Sequence, residues 1–269
     1  MVKTYALNGE TWIDIDSGSM EEIHSLMDKH SIHPFVAKEL FSRTPKPRIE
    51  FHDRYIFCIL HFPAWKHTHS ENTNQEIDFI IAKDLLITAR YDTVDALHKL
   101  SKELEVEEVL SKDGHKNNSL HIIFTRMLRG LYAGMFEELE YIEDMMENIT
   151  SNIFKEKERE MVVSISEITR TLLDFKRVTD MHHEILKSLK NKGKEIFGNG
   201  FGNAVEDIIS DYLKINSSIK SNLEMVKELR NTDNSLLSAK QNEKLKQWTV
   251  IGSILLILGI IATITTIFF

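Results

Sequence analysis

Imidazoles and carboxylates are the groups in this chain whose spacing could do chemistry. Twelve histidines occur, and His61, His67 and His69 fall close together. The His67-x-His69 pair could contribute two nitrogens to zinc, whereas a closed structural zinc site takes four ligands at tight spacing. The run Glu137-Glu138-Leu139-Glu140, continued by Glu143, Asp144 and Glu147, could gather cations, and it could equally be a solvated helix face. His182 and His183 are adjacent, and His182 falls on an apolar seam, so it is expected to be packed with a hydrogen-bond partner. Cys58 is the single cysteine and lies in an apolar run, which excludes an intrachain disulfide and suits a reducing compartment. We find no nucleophile elbow, phosphate loop or paired-carboxylate motif, and the reading is a non-enzyme without catalytic residues.

These groups must be positioned by a body that is long and mostly helical. The 269 residues contain 42% hydrophobic and 28% charged side chains, with only 11 glycines and 4 prolines. Few breakers favour long helices over a loop-rich fold. The net charge of −8 leaves no basic field for phosphates and argues against nucleic acid as a partner. Met1-Val2-Lys3-Thr4-Tyr5 has no apolar run of the kind a signal peptide needs.

The first 115 residues read as a mixed, layered α/β domain. Thr11-Trp12-Ile13-Asp14-Ile15 alternates like a strand, and Ser19 with Glu22 makes a capping box that opens a helix through about Lys29. His33-Pro34 opens a short helix ending near Phe41. Ile49 to His52 and Tyr55 to Phe62 read as strands paired about Asp53-Arg54; Ile77 to Ile81 and Leu85 to Ala89 read as strands joined at Lys83-Asp84. A polar loop, Trp65 to Gln75, separates the two pairs, and a helix is expected over 93–110.

Residues 116–202 are expected to form an antiparallel helical bundle. One helix carries the seam Phe124, Leu128, Leu131, Met135, Ile142, Met145 and Ile149, interrupted at Glu138. The next carries Ile165, Ile168, Leu172, Phe175, Thr179, His182, Leu186 and Leu189 as one helix. A Gly-rich break, Gly198 to Gly202, precedes a last helix starting near Asn203, with Ile208, Tyr212, Ile215, Ile219, Leu223 and Val226 on its seam. No proline or glycine intervenes before Ile251, so 203–247 is expected to be a stalk continuous with 248–269. Trp248 to Phe269 carries no charge, and a helix of that length reaches roughly 33 Å, enough for a hydrocarbon core of about 30 Å. Lys240, Lys244 and Lys246 precede the span, which keeps the body cytoplasmic by the positive-inside bias.

Several stretches, taken in order, resemble the CorA family of divalent-metal transporters. They are His33-Pro34-Phe35 with Lys38-Glu39-Leu40, Lys46-Pro47-Arg48-Ile49-Glu50, Tyr55 to His61, Ile77 to Thr88, and Asn234 to Glu243. The resemblance spans essentially the whole chain. It implies an α/β/α cytoplasmic domain, a stalk, and a homopentamer in the cell (inner) membrane that passes divalent cations, Mg²⁺ first and Co²⁺, Ni²⁺ or Zn²⁺ as further cargo. Carried over by position, the pore-lining residues are Asn242, Leu245, Trp248, Leu256 and Gly259, and a regulatory Mg²⁺ is held by Asp207 with Glu71 or Glu76 as partner. The family's Gly-Met-Asn signature is replaced by Thr266-Ile267-Phe268, a second membrane helix does not follow, and an acidic stalk position is Asn231. A single C-terminal span is therefore expected, in a divergent homologue or a truncated transporter. The alternative is a non-transporting, membrane-tethered metal sensor or scaffold.

Overall fold

The computed structural model describes residues 2–7, 9–63, 74–91, 98–99, 101–103, 119–152 and 158–268. Its contacts divide the chain into two compact units, Met1–Ile142 with Thr171–Ser221, and Glu143–Arg170 with Asn222–Phe269.

The first unit is built on six strands: β1 (Val2–Leu7), β2 (Glu10–Asp16), β3 (Arg48–Phe51), β4 (Ile56–Phe62), β5 (Gln75–Ile81) and β6 (Leu85–Arg90). Their order is β1-β2-β6-β5-β4-β3. Only β2 and β6 run parallel; every other pairing is antiparallel. Strands β4 and β5 are buried along their whole length, which explains why Ile56-Phe57-Cys58-Ile59-Leu60 is continuously apolar rather than alternating.

Side chains alternate across the sheet. Ile13, Ile15, Phe57, Ile59, Ile80 and Ile87 pack under two helices, α1 (Met20–Lys29) and α2 (Pro34–Glu39), through Ile23, Met27, Val36 and Leu40. The opposite face meets a second helical layer: Phe79 stands edge-on to Phe124 at 5.2 Å, and Phe62 edge-on to Tyr132 at 5.7 Å. The α/β/α layering is thus present. The capping box at Ser19 closes in both directions, with the Glu22 amide donating to Ser19 Oγ and the Ser19 amide to Glu22. His33 caps α2, and Pro34 occupies its first turn.

Four long helices follow: α3 (Leu120–Asn152), α4 (Glu158–Thr179), α5 (His182–Phe197) and α6 (Asn199–Phe268). Several sequence expectations change here. The segment expected as one helix from Ile165 to Leu189 is two, with a turn at Asp180 and Met181. Neither residue is a breaker by type. The break coincides with burial of Thr179 and His182, and Thr179 Oγ1 donates back to the Phe175 carbonyl at 2.9 Å. Helix α6 begins at Asn199 rather than Asn203, because Gly200 and Gly202 are helical and only Gly198, at φ +91°, ends α5. Strand β1 has no counterpart in the sequence reading. Of the adjacent pair on α3, Met146 is buried and Met145 half-buried, and on α6 Asn222 is buried where Leu223 is half-buried. On α3 the step from Ile142 to Met146 is the drift of a straight α-helix against a seven-residue repeat, whereas on α6 Asn222 lies on the unbroken three-four spacing and is passed over in the sequence only because it is polar. The helix expected over 93–110 lies outside the described residues, apart from helical 98–99 and 101–103.

Within the second unit, Met146, Met161, Ile165, Ile168, Val226 and Leu229 are buried. Asn222 Nδ2 donates to Glu143 Oε1 at 3.0 Å, and an Arg230 guanidinium nitrogen to Thr169 Oγ1 at 3.3 Å.

Candidate functional site

Helix α6 carries every residue expected in a pore. Asn242, Leu245, Trp248, Leu256 and Gly259 follow one another at steps of three, three, eight and three. At about 100° per residue they share an arc of roughly 120° on one side of the helix. All five are exposed in the single chain, Trp248 to 70% and Leu256 to 69%. Thr249 falls on the same arc, and Ser253 lies about 20° beyond its Asn242 edge. Their hydroxyls donate to the carbonyls four residues earlier, Leu245 at 2.8 Å and Thr249 at 2.9 Å. Among the described residues α6 is the one helix long and apolar enough to cross a membrane, and its apolar window is wholly exposed.

Asp207 lies in the first unit near the start of α6, and its Oδ2 is 2.7 Å from a guanidinium nitrogen of Arg129 on α3. Glu76 is on β5 and buried. Both of its oxygens accept from the Thr44 amide at 2.8–2.9 Å, Thr44 Oγ1 adds a contact at 3.0 Å, and His61 Nε2 stands 3.1 Å away. Glu71, His67 and His69 lie outside the described residues. The structure therefore gives Asp207 a solvent-facing carboxylate and Glu76 an internally engaged one, and does not bring the two together as a described pair.

Next to Glu76, Asp78 is completely buried, and its Oδ1 has no hydrogen-bond partner. Burial first, and then the charge of Glu76, push the Asp78 carboxyl well above the usual carboxylate range. Tyr91 Oη lies 3.2 Å from Asp78 Oδ2 and 3.1 Å from the Glu39 carbonyl. One phenolic proton cannot serve both, so a protonated Asp78 completes the set. Together with the Arg48–Glu39 ion pair, these contacts tie the end of α2 to the sheet.

The histidine expected in the bundle is His182. It is fully buried at the start of α5, with Nδ1 2.7 Å from Tyr132 Oη and its ring edge-on to Phe62 at 5.2 Å. Burial pushes its imidazole down to about 3, partly opposed by the His61 backbone. Cys58 is buried in β4 with its thiol pushed upward by burial, which makes it inert. Glu138, read as part of an acidic run, is buried. Arg129 was missed as the partner of Asp207; 78 residues separate the two, and no local pattern links them.

Mg²⁺ takes oxygen ligands and keeps several waters, so one or two carboxylates suffice. Asp207 fits that donor chemistry: an open carboxylate already neutralised by a stand-in cation, the guanidinium. Among the described residues no three His, Cys, Asp or Glu side chains converge to hold a metal ion.

The model of the CorA-like Mg²⁺ transporter protein family matches residues 8–265. The chain belongs to that family. The cobalt/magnesium transport protein CorA of Thermotoga maritima is 20% identical over 255 residues, 94% of this chain and 72% of the relative. The complete structure of the CorA magnesium transporter from Methanocaldococcus jannaschii superimposes with a TM-score of 0.79 at 20% identity, covering 90% of this chain and 75% of that one. The ZntB cytoplasmic domain from Vibrio parahaemolyticus gives a TM-score of 0.73 at 14% identity, with 87% and 90% covered. At these identities the structures establish the fold: a mixed-sheet domain followed by a long C-terminal helix. The CorA-like family is one of divalent-cation membrane transporters.

Proposed function

We propose that this chain is a CorA-like channel for divalent cations, Mg²⁺ above all, working as a homopentamer. The observation that carries the reading is α6 itself, one helix from Asn199 to Phe268 that ends in an apolar, fully exposed window. A single helix cannot enclose a path, so several copies must bring their α6 arcs together. In that ring the Asn242 amide oxygens accept from the waters of a hydrated Mg²⁺, which sheds them reluctantly. Rings of Leu245 and Leu256 narrow the path and close it by dewetting. Trp248 marks the entry, and Gly259 allows close helix approach. Residues 1–115 are the cytoplasmic α/β domain, 116–202 the bundle, 203–247 the stalk and 248–269 the span, in the cell (inner) membrane, with Lys240, Lys244 and Lys246 on the cytoplasmic side. The membrane potential drives entry at ~2.3 kcal/mol per charge per 100 mV, twice that for a divalent ion.

Regulation is assigned to Asp207, which binds Mg²⁺ at the boundary between copies, with Glu71 or Glu76 as the partner carboxylate and Co²⁺, Ni²⁺ or Zn²⁺ as further cations. A second reading, a membrane-tethered metal sensor or scaffold that passes no ions, is favoured by Thr266-Ile267-Phe268 standing where the family has Gly-Met-Asn. Purified full chain in liposomes loaded with a Mg²⁺-sensitive dye separates the two. Flux that Asn242→Leu abolishes supports the channel. A pentamer whose protease resistance rises with Mg²⁺ while no flux is detected supports the sensor. A metal-indifferent monomer refutes both.

A further inference from the structure

Helix α6 carries two consecutive acids, Glu206 and Asp207, and successive helical residues point about 100° apart. They reach different neighbours. Lys190 Nζ on α5 is 2.6 Å from Glu206 Oε2, and Arg129 on α3 is 2.7 Å from Asp207 Oδ2. The Arg129 and Asp207 side chains are 51% and 68% exposed, so solvent and ions reach the pair and its partners can separate.

We propose that Arg129 is a built-in competitor for the cation at Asp207, holding the carboxylate while no divalent ion is bound and swinging away when one binds. This rests on the regulatory reading of Asp207 given above. A divalent ion on that carboxylate would lie within about 5 Å of the guanidinium, and like charges at that range repel. Arginine cannot relieve the repulsion by losing a proton, so displacement is the only route, and its exposure leaves room for it. The cation concentration needed at Asp207 is then set by the strength of one ion pair. The Arg129–Asp207 pair links α3 to α6 through that carboxylate. The Lys190–Glu206 pair, one residue away on a different carboxylate, is an internal reference.

The test uses the purified full chain in mild detergent at low salt, with Mn²⁺ as the probe because it shares the preference of Mg²⁺ for carboxylate and water oxygen. Electron paramagnetic resonance reads the free Mn²⁺. Asp207→Asn defines the component of binding that belongs to this site. Arg129→Gln is expected to tighten that component about two- to five-fold, the range an exposed ion pair supports. The gain should collapse near 1 M salt, where the screening length is ~3 Å. Arg129→Lys, which keeps the charge and guards against a folding artefact, and Lys190→Gln should both stay near the parent. Equal or weaker binding in Arg129→Gln, while Asp207→Asn still removes the component, overturns the competition and leaves the regulatory reading standing. Unchanged binding in Asp207→Asn overturns both.

Discussion

Acidification should loosen the first unit through one imidazole, His182. The folded chain keeps His182 neutral, with its pKa pushed down to about 3 by burial. An unfolded histidine takes its proton near 6.5. Between these values the unfolded state binds the extra proton, so stability is complete above about pH 6.5 and falls as pH drops toward 3. From pH 7.5 to pH 5 the loss is about 1.5 pH units at 1.36 kcal/mol each, or about 2 kcal/mol. For a unit of this size 1 kcal/mol moves Tm by about 2–4 °C, so the shift is about 4–8 °C. Other groups titrate in the same interval, and Asp78, raised rather than lowered, works in the opposite sense. The informative quantity is therefore a difference between two proteins. His182→Gln should melt lower at pH 7.5, because it loses the Tyr132 contact, yet its Tm should fall less between pH 7.5 and pH 5 by about that amount. Thermal melts of the full chain in mild detergent, followed by circular dichroism across the pH series, read both slopes. Parallel slopes in parent and variant would refute the assignment of the acid sensitivity to His182.

Four further outcomes are expected. Tyr132→Phe strands the buried His182 Nδ1 and should cost about 1–3 kcal/mol, read as a lower Tm at pH 7.5, with no change counting against the pairing. Gly193→Ala places a methyl 2.1 Å from Phe201 Cε1 and should cost about 1–3 kcal/mol, partly recovered when Phe201→Leu is added; a neutral single variant contradicts the close approach of α5 and α6. Asp78→Asn supplies a permanently neutral amide where burial disfavours the charged form of the carboxyl. Since a raised carboxyl loses stability as pH climbs above its unfolded value near 4, the Tm of the variant relative to the parent should rise from pH 5 to pH 9, and a flat difference is the contrary result. Ile254→Asp, on the side of α6 away from the Asn242–Gly259 arc, puts a charge mid-span at about 2.5–3.5 kcal/mol, so the fraction resisting alkaline carbonate extraction should drop, and undiminished extraction resistance would argue against this helix as the anchor.

The sheet and its helices were legible because their signals are local. Ser19 with Glu22, Pro34 at a helix start and the turns at Asp53-Arg54 and Lys83-Asp84 act over two to four residues, and each lies where the sequence puts it. The break between α4 and α5 was not legible, because neither Asp180 nor Met181 is a residue that stops helices; it coincides with the burial of Thr179 and His182. The buried seam of α6 keeps its three-four spacing through Ile215, Ile219, Asn222 and Val226, and the sequence reading departs from it at Leu223 because Leu223 is the apolar neighbour of a polar seam position. Of the candidate site, the shared arc of Asn242, Leu245, Trp248, Leu256 and Gly259 follows from spacing alone. The engagement of Asp207 by Arg129, and of Glu76 by Thr44 and His61, joins residues distant in sequence and became visible only in three dimensions.

Thr249 and Ser253 donate their hydroxyl protons to their own helix, and this fixes what they offer outward. An oxygen whose proton is turned inward presents lone pairs alone. Water around a cation points its hydrogens away from the ion, and water around an anion does the reverse. Were that flank of α6 to line the proposed path, its hydroxyl oxygens would discriminate the sign of a hydrated ion without carrying any charge, accepting from the shell of a metal ion and leaving that of a chloride without a donor.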